Sequence, residues 1–282
     1  MGDLLSQQLL ISPAAAGDLI DFGSVYLDGR LERDRQRRLA GGEQVTINWP
    51  RGGVRRFYQI DPARILYRDR FLLAYNKEPG IPSQQVPADA YNNIYAAVQR
   101  FLESGSAKPP YVALHHRLDR ETSGVMLFVV DRSINRRLSD AFKAHTVIKD
   151  YLVWVAGNPA ADRWTAADDI NRKNGRHTTV PRGQGKPAET VFQVLAREPE
   201  QTLLWARPKT GRTHQIRLHL AAAGHPVLGD RLYGKTPAAR LYLHAYRLRL
   251  DHPATGAPLL LTAPIPQDWP PPHTLDLPPS PA

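Results

Sequence analysis

The chain has 282 residues, of which 42% are hydrophobic, enough for one sizeable core and a small accessory domain. It contains no cysteine, which excludes disulfides, thiolate metal sites and a catalytic thiol. Lysine and arginine number 37 against 27 acidic residues, and this net charge of +10 points to a polyanion such as nucleic acid. No apolar run is long enough to span a membrane, and residues 1–5 lack the pattern of a signal peptide, so we expect a cytoplasmic protein.

Residues 1–52 are predicted to form a small separate unit. Residues 23–30 are typical of a short strand that enters an Asp-Gly turn, and residues 39–47 turn into a second strand. An arginine-rich stretch between the two strands also contains the acids Glu32 and Asp34; its arginines are Arg30, Arg33, Arg35, Arg37 and Arg38. The interleaved acids favour a solvated stretch whose charges pair with one another.

A second, larger unit is expected over residues 58–265, after a linker at residues 50–53. Strands are predicted at residues 71–77, 125–130, 151–155, 202–206 and 241–250. Helices are predicted at residues 92–104, 132–145 and 214–223, with Asp131 as an N-cap and Gly224 as a C-terminal stop. Because strands and helices do not alternate strictly, this order predicts an α+β fold and not a doubly wound parallel sheet.

Two segments of the larger unit lack a periodic apolar pattern. Residues 157–188 are polar and rich in glycine, asparagine and arginine, and we expect them to be a long insertion. Residues 266–282 are dominated by proline and are predicted to be a loose tail.

Residues 115–124 carry the most informative pattern of the chain. Asp119 lies between Arg117 and Arg120, and Thr122-Ser123-Gly124 closes the turn before an apolar strand. A carboxylate held by guanidinium groups at the edge of a rigid sheet can be an oriented nucleophile. It can equally be an ordinary surface ion pair, and this segment alone does not decide between the two.

Two further segments carry polar groups beside predicted strands. Tyr151 opens a strand in Lys149-Asp150-Tyr151, where a tyrosine is usually part of the core. Residues 210–217 read Thr-Gly-Arg-Thr-His-Gln-Ile-Arg, in which Gly211 is expected to let the strand turn sharply into the helix that carries Arg217. Taken singly, such arginines are usually exposed to solvent.

Three other chemistries are disfavoured by spacing or composition. His214 and His219 are five residues apart, whereas zinc-binding pairs on one helix face are four apart. Residues 229–236 match the phosphate-loop pattern GxxxxGK[ST], but bulky residues and the acidic Asp230 fill its middle. Asp119 and Glu121 are too close in sequence to flank a glycosidic bond.

Together these segments resemble the RluA-type family of RNA pseudouridine synthases. His116-Arg117-Leu118-Asp119-Arg120-Glu121-Thr122-Ser123-Gly124 is similar to the catalytic signature of that family. Lys149-Asp150-Tyr151 stands where the family has Lys-x-Tyr, and residues 210–217, followed by His219, residues 224–226 and residues 229–230, resemble its third motif. The resemblance covers roughly residues 60–265 and implies a mixed, mainly antiparallel sheet in the catalytic domain.

The N-terminal unit is similar to the small α+β RNA-binding module that many of these enzymes carry. Residues 23–29 are its expected core, with Asp28 where asparagine is more usual. The helical pair that should precede this core is not evident, so we expect an abbreviated or divergent module. Residues 76–80 depart from the family pattern by a shifted proline, which bears on the geometry of that loop.

The resemblance implies that the chain isomerises uridine to pseudouridine in RNA. Asp119 would act on the flipped uridine as nucleophile or base, Arg217 would keep its carboxylate ionised, and Tyr151 would stack on the uracil. Substrate-binding roles would fall to four further residues: Arg117, Ile216, Arg212 and His116. Arg117 would fill the gap left by the base or hold a phosphate.

The same resemblance implies the partners of the protein. The RNA would be ribosomal or transfer RNA, and the reaction would need no metal, nucleotide or other cofactor. We expect a monomer that does not bind membranes. The main alternative is a non-catalytic RNA-binding or ribosome-assembly factor with the same fold.

Overall fold

The computed structural model describes residues 1–49, 58–87, 91–103, 110–173 and 175–269. The chain divides into two compact units, one of Met1–Asp61 with Ile81–Pro110 and one of Pro62–Gly80 with Tyr111–Ala282. The predicted linker and most of the predicted tail lie outside the described residues, so the domain boundaries derived from the sequence remain predictions. No described helix is both long enough and apolar enough to cross a membrane.

Two helices and a small antiparallel sheet form the N-terminal part of the first unit. The helices are α1 (Gly2–Leu9) and α2 (Pro13–Asp21), and the strands are β1 (Val25–Leu27), β2 (Arg30–Leu31) and β3 (Val45–Ile47). The helical pair is present, so the expectation of an abbreviated module was wrong, and the expectation of a divergent one stays a prediction. The pair escaped detection because α1 buries only Leu5 and has no side-chain cap, which leaves a weak sequence pattern.

A third helix among the described residues of the first unit is α3 (Ile94–Leu102), as predicted. It begins where the side chain of Asn93 accepts a hydrogen bond from the backbone N–H of Ala96 at 3.0 Å, which satisfies one of the free donors at the helix start. Its buried face includes Ile94 and Val98.

The arginine-rich stretch is paired within its own unit. Arg37 lies 3.1 Å from Glu43 and 3.9 Å from Glu32, and Arg35 forms an ion pair with Asp21. The self-paired arrangement expected for this stretch is therefore confirmed for Arg35 and Arg37.

A ten-stranded mixed sheet forms the second unit. Its strands are β4 (Ile65–Arg68), β5 (Leu72–Lys77), β6 (Ala113–Leu114), β7 (Ser123–Val129), β8 (Ile148–Ala156), β9 (Arg163–Ala166), β12 (Thr190–Arg197), β13 (Gln201–Pro208), β14 (Leu243–Asp251) and β15 (Pro258–Thr262). The order is β4-β5-β7-β14-β8-β13-β12-β9, with β15 on β14 and β6 on β7. Every pairing in this sheet is antiparallel except that of β7 with β14, which confirms the α+β class with a mainly antiparallel sheet.

The segment predicted to be a long insertion contains three strands. β9 joins the edge of the large sheet, while β10 (Asp169–Lys173) and β11 (Arg176–Val180) form a separate two-stranded hairpin. These strands are short and half exposed, so they lack the continuous apolar run that marks a buried strand in a sequence.

The described part of the second unit contains two α-helices. α4 (Asn135–Lys143) follows a 3₁₀ turn at Arg132–Ile134, and Asp131 caps that turn by accepting a hydrogen bond from the Ser133 N–H at 2.9 Å. α5 (Gln215–Ala222) is buried over most of its length and stops before Gly224, whose φ is +82°. The described structure therefore confirms both predicted helices to within a few residues.

The parallel pairing of β7 with β14 depends on Gly124. This residue lies opposite Ala245 with a φ of +112°, and a Cβ atom on it would be 2.2 Å from the Ala245 carbonyl oxygen. Only glycine allows so close a backbone approach in this conformation. The loop that carries Asp119 is thereby fixed at the start of a buried central strand.

Candidate active site

Asp119 lies in the tight loop between β6 and β7, and 22% of its side chain is exposed. Its carbonyl oxygen accepts a hydrogen bond from the Thr122 N–H at 3.1 Å, which closes the predicted turn. A partly exposed carboxylate on a rigid loop can meet a substrate and still keep a defined orientation.

Arg217, the third residue of α5, contacts two carboxylates with one guanidinium group. Its Nη1 donates to Asp119 Oδ2 at 3.0 Å, and its Nε and Nη2 donate to the two oxygens of Asp230, each at 2.7 Å. The ion pair predicted between Asp119 and Arg217 is thus confirmed. Burial works to lower the pKa of Arg217, but the hydrogen bonds that it donates to Asp230 and the charges of both carboxylates outweigh burial and raise that pKa.

Asp230 is fully buried. Within the described structure, Arg217 is the one charged side chain that forms an ion pair with it. Its carboxylate also accepts hydrogen bonds from the backbone N–H groups of Leu232 and Tyr233, at 2.9 and 3.1 Å. Burial would raise the pKa of Asp230, but these bonds and the Arg217 charge lower it. Asp230 is therefore a candidate functional residue, although the sequence analysis gave it no role of its own.

The phosphate-loop match at residues 229–236 has a different role in the fold. Residues 231–240 form turns and irregular backbone with no helix, whereas a phosphate loop opens a helix whose N–H groups face the ligand. Gly229 has a φ of +73°, and a Cβ on it would lie 1.8 Å from the Arg240 carbonyl oxygen. The glycine thus lets the chain pass Arg240 and place Asp230 beneath Arg217.

His214 precedes α5 in the left-handed region, with a φ of 56°. Gly211, which was expected to let the strand turn sharply into this helix, is not among the residues with positive φ, so the left-handed backbone conformation belongs to His214. A left-handed backbone at a residue other than glycine costs energy and often marks a functional site. The His214 side chain makes one hydrogen bond, to Tyr233, and lies near Asp119.

The His214 ring lies between Tyr233 and Asp119. Its Nδ1 is 2.7 Å from the Tyr233 hydroxyl, and its Nε2 is 3.8 Å from Asp119 Oδ1. Burial lowers the pKa of His214 despite the opposing charge of Asp119, so the ring is neutral at neutral pH. We assign the tautomer in which Tyr233 donates to Nδ1, because the Nε2–H then points at the carboxylate.

Tyr151 lies on β8 and is 9% exposed, beside the loop that carries Asp119. Burial raises its pKa, and the Asp119 charge raises it further, so the phenol stays protonated at neutral pH. Ile216 on α5 is 6% exposed. The Asp119 charge therefore contributes to the raised pKa of Tyr151, and the apolar Ile216 directly precedes Arg217 in α5.

The other predicted substrate-binding residues differ in their surroundings. Arg117 is exposed and forms no ion pair with the part of the chain that is described. Arg212 is exposed, and its Nε donates to the Pro187 carbonyl at 2.9 Å. His116 Nε2 accepts a hydrogen bond from the Leu127 N–H at 2.9 Å, the ring stacks on Phe142, and burial lowers its pKa to about 3. One nitrogen of His116 is thus bonded to β7, whereas the Arg117 side chain is exposed to solvent.

Lys77, which the sequence reading did not select, is fully buried beneath the Asp119 loop. Its Nζ donates to the carbonyl oxygens of Glu78 and Arg120 at 2.7 and 2.9 Å, and the Gly80 N–H donates to the same Arg120 carbonyl at 2.8 Å. Burial lowers the pKa of Lys77 to about 7, against the opposing charges of nearby acids that include Asp119. The loop at residues 76–80 therefore supports the Asp119 loop despite its shifted proline.

His214 and His219, the two histidines considered as zinc ligands, both form hydrogen bonds within the protein. His219 lies 3.0 Å from the Thr190 hydroxyl through Nδ1 and 3.0 Å from the Asp168 carbonyl through Nε2. Within the described ranges, no group of three or more His, Cys, Asp or Glu side chains is arranged to hold a metal ion.

The comparison with known proteins identifies the family. A profile described as RNA pseudouridylate synthase matches residues 71–222, a range that contains Asp119, Tyr151 and Arg217. The chain belongs to the RNA pseudouridylate synthase family. Asp230 lies outside the matched range.

Members of this family with similar sequences include two bacterial proteins named ribosomal large subunit pseudouridine synthase C. The protein of Haemophilus ducreyi is 35% identical over 71% of this chain and 65% of its own length. The protein of Yersinia pestis is 34% identical over 84% of this chain and 75% of its own length. The chain thus spans slightly less than two thirds of the first of these relatives.

Solved structures place the fold in the same family. The human protein RNA pseudouridylate synthase domain containing 4 is 25% identical and superposes with a TM-score of 0.60, over 73% of this chain and 89% of that one. Human RNA pseudouridylate synthase domain containing 1 gives the same TM-score at 26% identity.

Proposed function

We propose that this chain is an RNA pseudouridine synthase that isomerises specific uridines in structured RNA. Large-subunit ribosomal RNA is the first candidate substrate because the bacterial relatives are named for it, and transfer RNA is the second. The observation that carries the proposal is the Asp119 carboxylate held by Arg217, which Asp230 fixes from the opposite side. This arrangement lies in the segment that matches the family.

The proposed reaction balances without any added reagent. The bond between ribose C1′ and uracil N1 breaks, and a bond between C1′ and uracil C5 forms. N1 gains a proton, and C5 loses one to solvent. No electron is transferred and no water is consumed, so the proposed activity needs no redox cofactor.

Asp119 is the proposed nucleophile or base in this reaction. Arg217 donates a hydrogen bond to its carboxylate at 3.0 Å and so fixes the orientation of that group. Tyr151 is the proposed stacking partner of the uracil and, as a protonated phenol, can hydrogen-bond to the base while C5 loses its proton. All three side chains belong to one compact unit.

The remaining selected residues have proposed roles in binding. Ile216 is proposed to pack against the uracil ring and Arg117 to fill the space that the flipped base leaves, or to hold a phosphate. Arg212, an exposed cation beside α5, is proposed to bind the RNA backbone. His116 is proposed to act by holding the Asp119 loop against β7 as well as by meeting substrate.

The decisive test uses an isosteric substitution of the proposed nucleophile. Asp119→Asn should abolish tritium release from large-subunit ribosomal RNA labelled at uracil C5, while its RNA affinity stays within about twofold of wild type. Glu121→Gln is the matched control, because Glu121 is a more exposed carboxylate two residues away. Full activity of Asp119→Asn would exclude the proposed chemistry.

The same experiment separates the enzyme from its main rival. A non-catalytic RNA-binding or assembly factor would bind the labelled RNA but release no tritium even as the wild-type protein. We also propose that the protein is a cytoplasmic monomer; light scattering of the purified chain tests its oligomeric state.

A further inference from the structure

The β10–β11 hairpin stands apart from the large sheet and carries an unbalanced charge. Its strands pair antiparallel with each other, with Arg172 opposite His177 and Lys173 opposite Arg176, and Ile170 of β10 also forms a backbone bridge to Lys186. The sequence from residue 170 to residue 187 contains no acidic residue. Five exposed cations lie within or directly after the hairpin: Arg172, Lys173, Arg176, Arg182 and Lys186.

These cations differ from the other basic stretch of the protein. Arg35 and Arg37 of the first unit are paired with acids, whereas none of the five hairpin cations forms an ion pair with any described part of the chain. Asp169, the nearest acid, is buried, and its carboxylate accepts hydrogen bonds from the backbone N–H groups of Gly183 and Gly185 at 2.8 and 3.2 Å. It is committed to shaping the hairpin and does not neutralise it.

The charge at the hairpin tip is unfavourable for the free protein. Lys173 and Arg176 lie directly opposite each other in the register, and like charges at opposed positions destabilise a sheet. An anionic ligand at the tip would remove this repulsion, because it would be attracted by both cations.

The hairpin is anchored on the helix that holds the candidate nucleophile. Ile170 and Leu218 of α5 belong to one buried apolar cluster, with Tyr233 packed against it. The His177 ring meets the His214 ring edge-on, with centroids 5.8 Å apart, and His214 lies 3.8 Å from Asp119. Because side chains opposite one another share a face, Arg172 lies on the same face as His177, towards α5.

We propose that the β10–β11 hairpin is a phosphate-binding arm that holds the RNA strand beside the uridine in the active site. The inference rests on the proposed function, since it takes RNA as the substrate. Arginine suits this role because its planar guanidinium can bind phosphate oxygens in pairs. Arg172 would contact the phosphates nearest the site, and Lys173 and Arg176 those on the other face of the hairpin.

The test compares two variants that lose equal charge. Arg172→Gln/Lys173→Gln/Arg176→Gln neutralises the hairpin, and the control Arg70→Gln/Arg136→Gln/Lys143→Gln removes three cations whose side chains are 79%, 95% and 76% exposed elsewhere on the second unit. Both are placed in the Asp119→Asn background so that the RNA is not modified. Binding to an unmodified transcript of large-subunit ribosomal RNA is measured by filter retention from low to high KCl.

The hairpin variant should bind with a smaller salt dependence than the control. Each lost phosphate contact removes roughly 0.7–0.9 from the slope of log K against log salt, so three contacts remove about 2 to 3. The control should change that slope by less than about 1. The melting temperature of the hairpin variant should equal or exceed that of its parent, because the repulsion at the tip is gone.

The outcomes separate this inference from the proposed activity. Equal slopes for the two triple variants would overturn the phosphate-binding arm, whether or not the wild-type chain releases tritium. A reduced slope in the hairpin variant alone would support the arm even if wild type proved inactive. In the catalytically intact chain, the hairpin variant should raise KM with little change in kcat, as expected for binding that does not change during the reaction.

Discussion

Arg217 is fixed by two hydrogen bonds to Asp230 and makes a single one to Asp119. Asp230 is itself satisfied by two backbone N–H groups and has no exposed surface on its side chain. The paired bonds set the plane of the guanidinium, so Asp119 receives a donor of fixed direction. The two carboxylates and one guanidinium leave one net negative charge, which resides at the accessible carboxylate, Asp119.

Asp230→Asn should lower activity without weakening RNA binding. The amide cannot accept both guanidinium bonds, so Arg217 can turn towards Asp119 and pair with it more tightly. Since a misplacement of about 1 Å can cost roughly 100-fold, we expect kcat to fall by about that factor. The free energy of unfolding should also fall, by about 3 kcal/mol, because a buried ion pair loses one partner.

Asp162→Asn is the matched control for this prediction. Asp162 also pairs with an arginine, Arg197 at 2.7 Å, but 88% of its side chain is exposed. Its substitution should change neither kcat nor the free energy of unfolding by a measurable amount. Wild-type turnover in Asp230→Asn would mean that Asp230 does not position Arg217.

Tyr233→Phe should remove the hydrogen bond that selects one tautomer of His214. Without the hydroxyl 2.7 Å from Nδ1, the ring can place its proton on either nitrogen, and only one form directs an N–H at Asp119. A hydrogen bond between neutral groups contributes about 1 kcal/mol, so we expect kcat to fall up to roughly tenfold. Ring ¹⁵N shifts check the assignment directly: a protonated Nδ1 in wild type would contradict it.

Local patterns predicted the strands with a continuous apolar run and the three helices with recognisable start or stop signals. The apolar run at residues 71–77 became β5, and Asp131 caps the turn before α4 as its position before an amphipathic stretch indicates. Seven strands were missed because each is at least partly exposed, and all but β6 contain polar residues: β4, β6, β9, β10, β11, β12 and β15. Their pairing is decided by neighbours that are distant in sequence.

The residues of the candidate site also differ in whether the sequence could predict them. The Asp119 and Arg217 pair was predicted because both lie in motifs whose order resembles a known family, since nothing in either segment alone joins residues 98 positions apart. Lys77 and Asp230 were not selected as functional, because charged residues are rarely buried and a sequence does not show the partners that allow it. Their roles follow only from tertiary contacts.

Gly124→Ala should destabilise the second unit strongly. The new Cβ would meet the Ala245 carbonyl oxygen at 2.2 Å and would force alanine to a φ of +112°. Overpacking and backbone strain together predict a loss of about 3 kcal/mol or more in the free energy of unfolding, measured with urea. Gly256→Ala is the control, because Gly256 has a φ of +75° with no atom near its Cβ position, so only about 1 kcal/mol is expected. Equal losses in the two variants would refute the steric argument.

Acid should destabilise the fold before its carboxylates titrate. Burial lowers the pKa of His244 to about 4 and that of His116 to about 3, whereas an unfolded histidine titrates near 6.5. Between pH 6.5 and 4 the unfolded chain therefore binds more protons, and the free energy of unfolding falls as the pH is lowered. His244 alone should account for roughly 3 kcal/mol of this loss, at up to about 1.4 kcal/mol per pH unit.

Urea unfolding at several pH values between 7 and 4.5 measures this loss. His244→Gln should reduce the slope by about one proton, whereas His145→Asn, which replaces an exposed histidine, should leave it unchanged. Asp69 and Asp230 have lowered pKa values, so they change the free energy of unfolding only at pH values below about 4, outside this window. The free energy of unfolding could instead fall equally with pH in wild type and in His244→Gln. His244 would then have to be charged in the folded protein, and its burial against β7 would not determine its protonation.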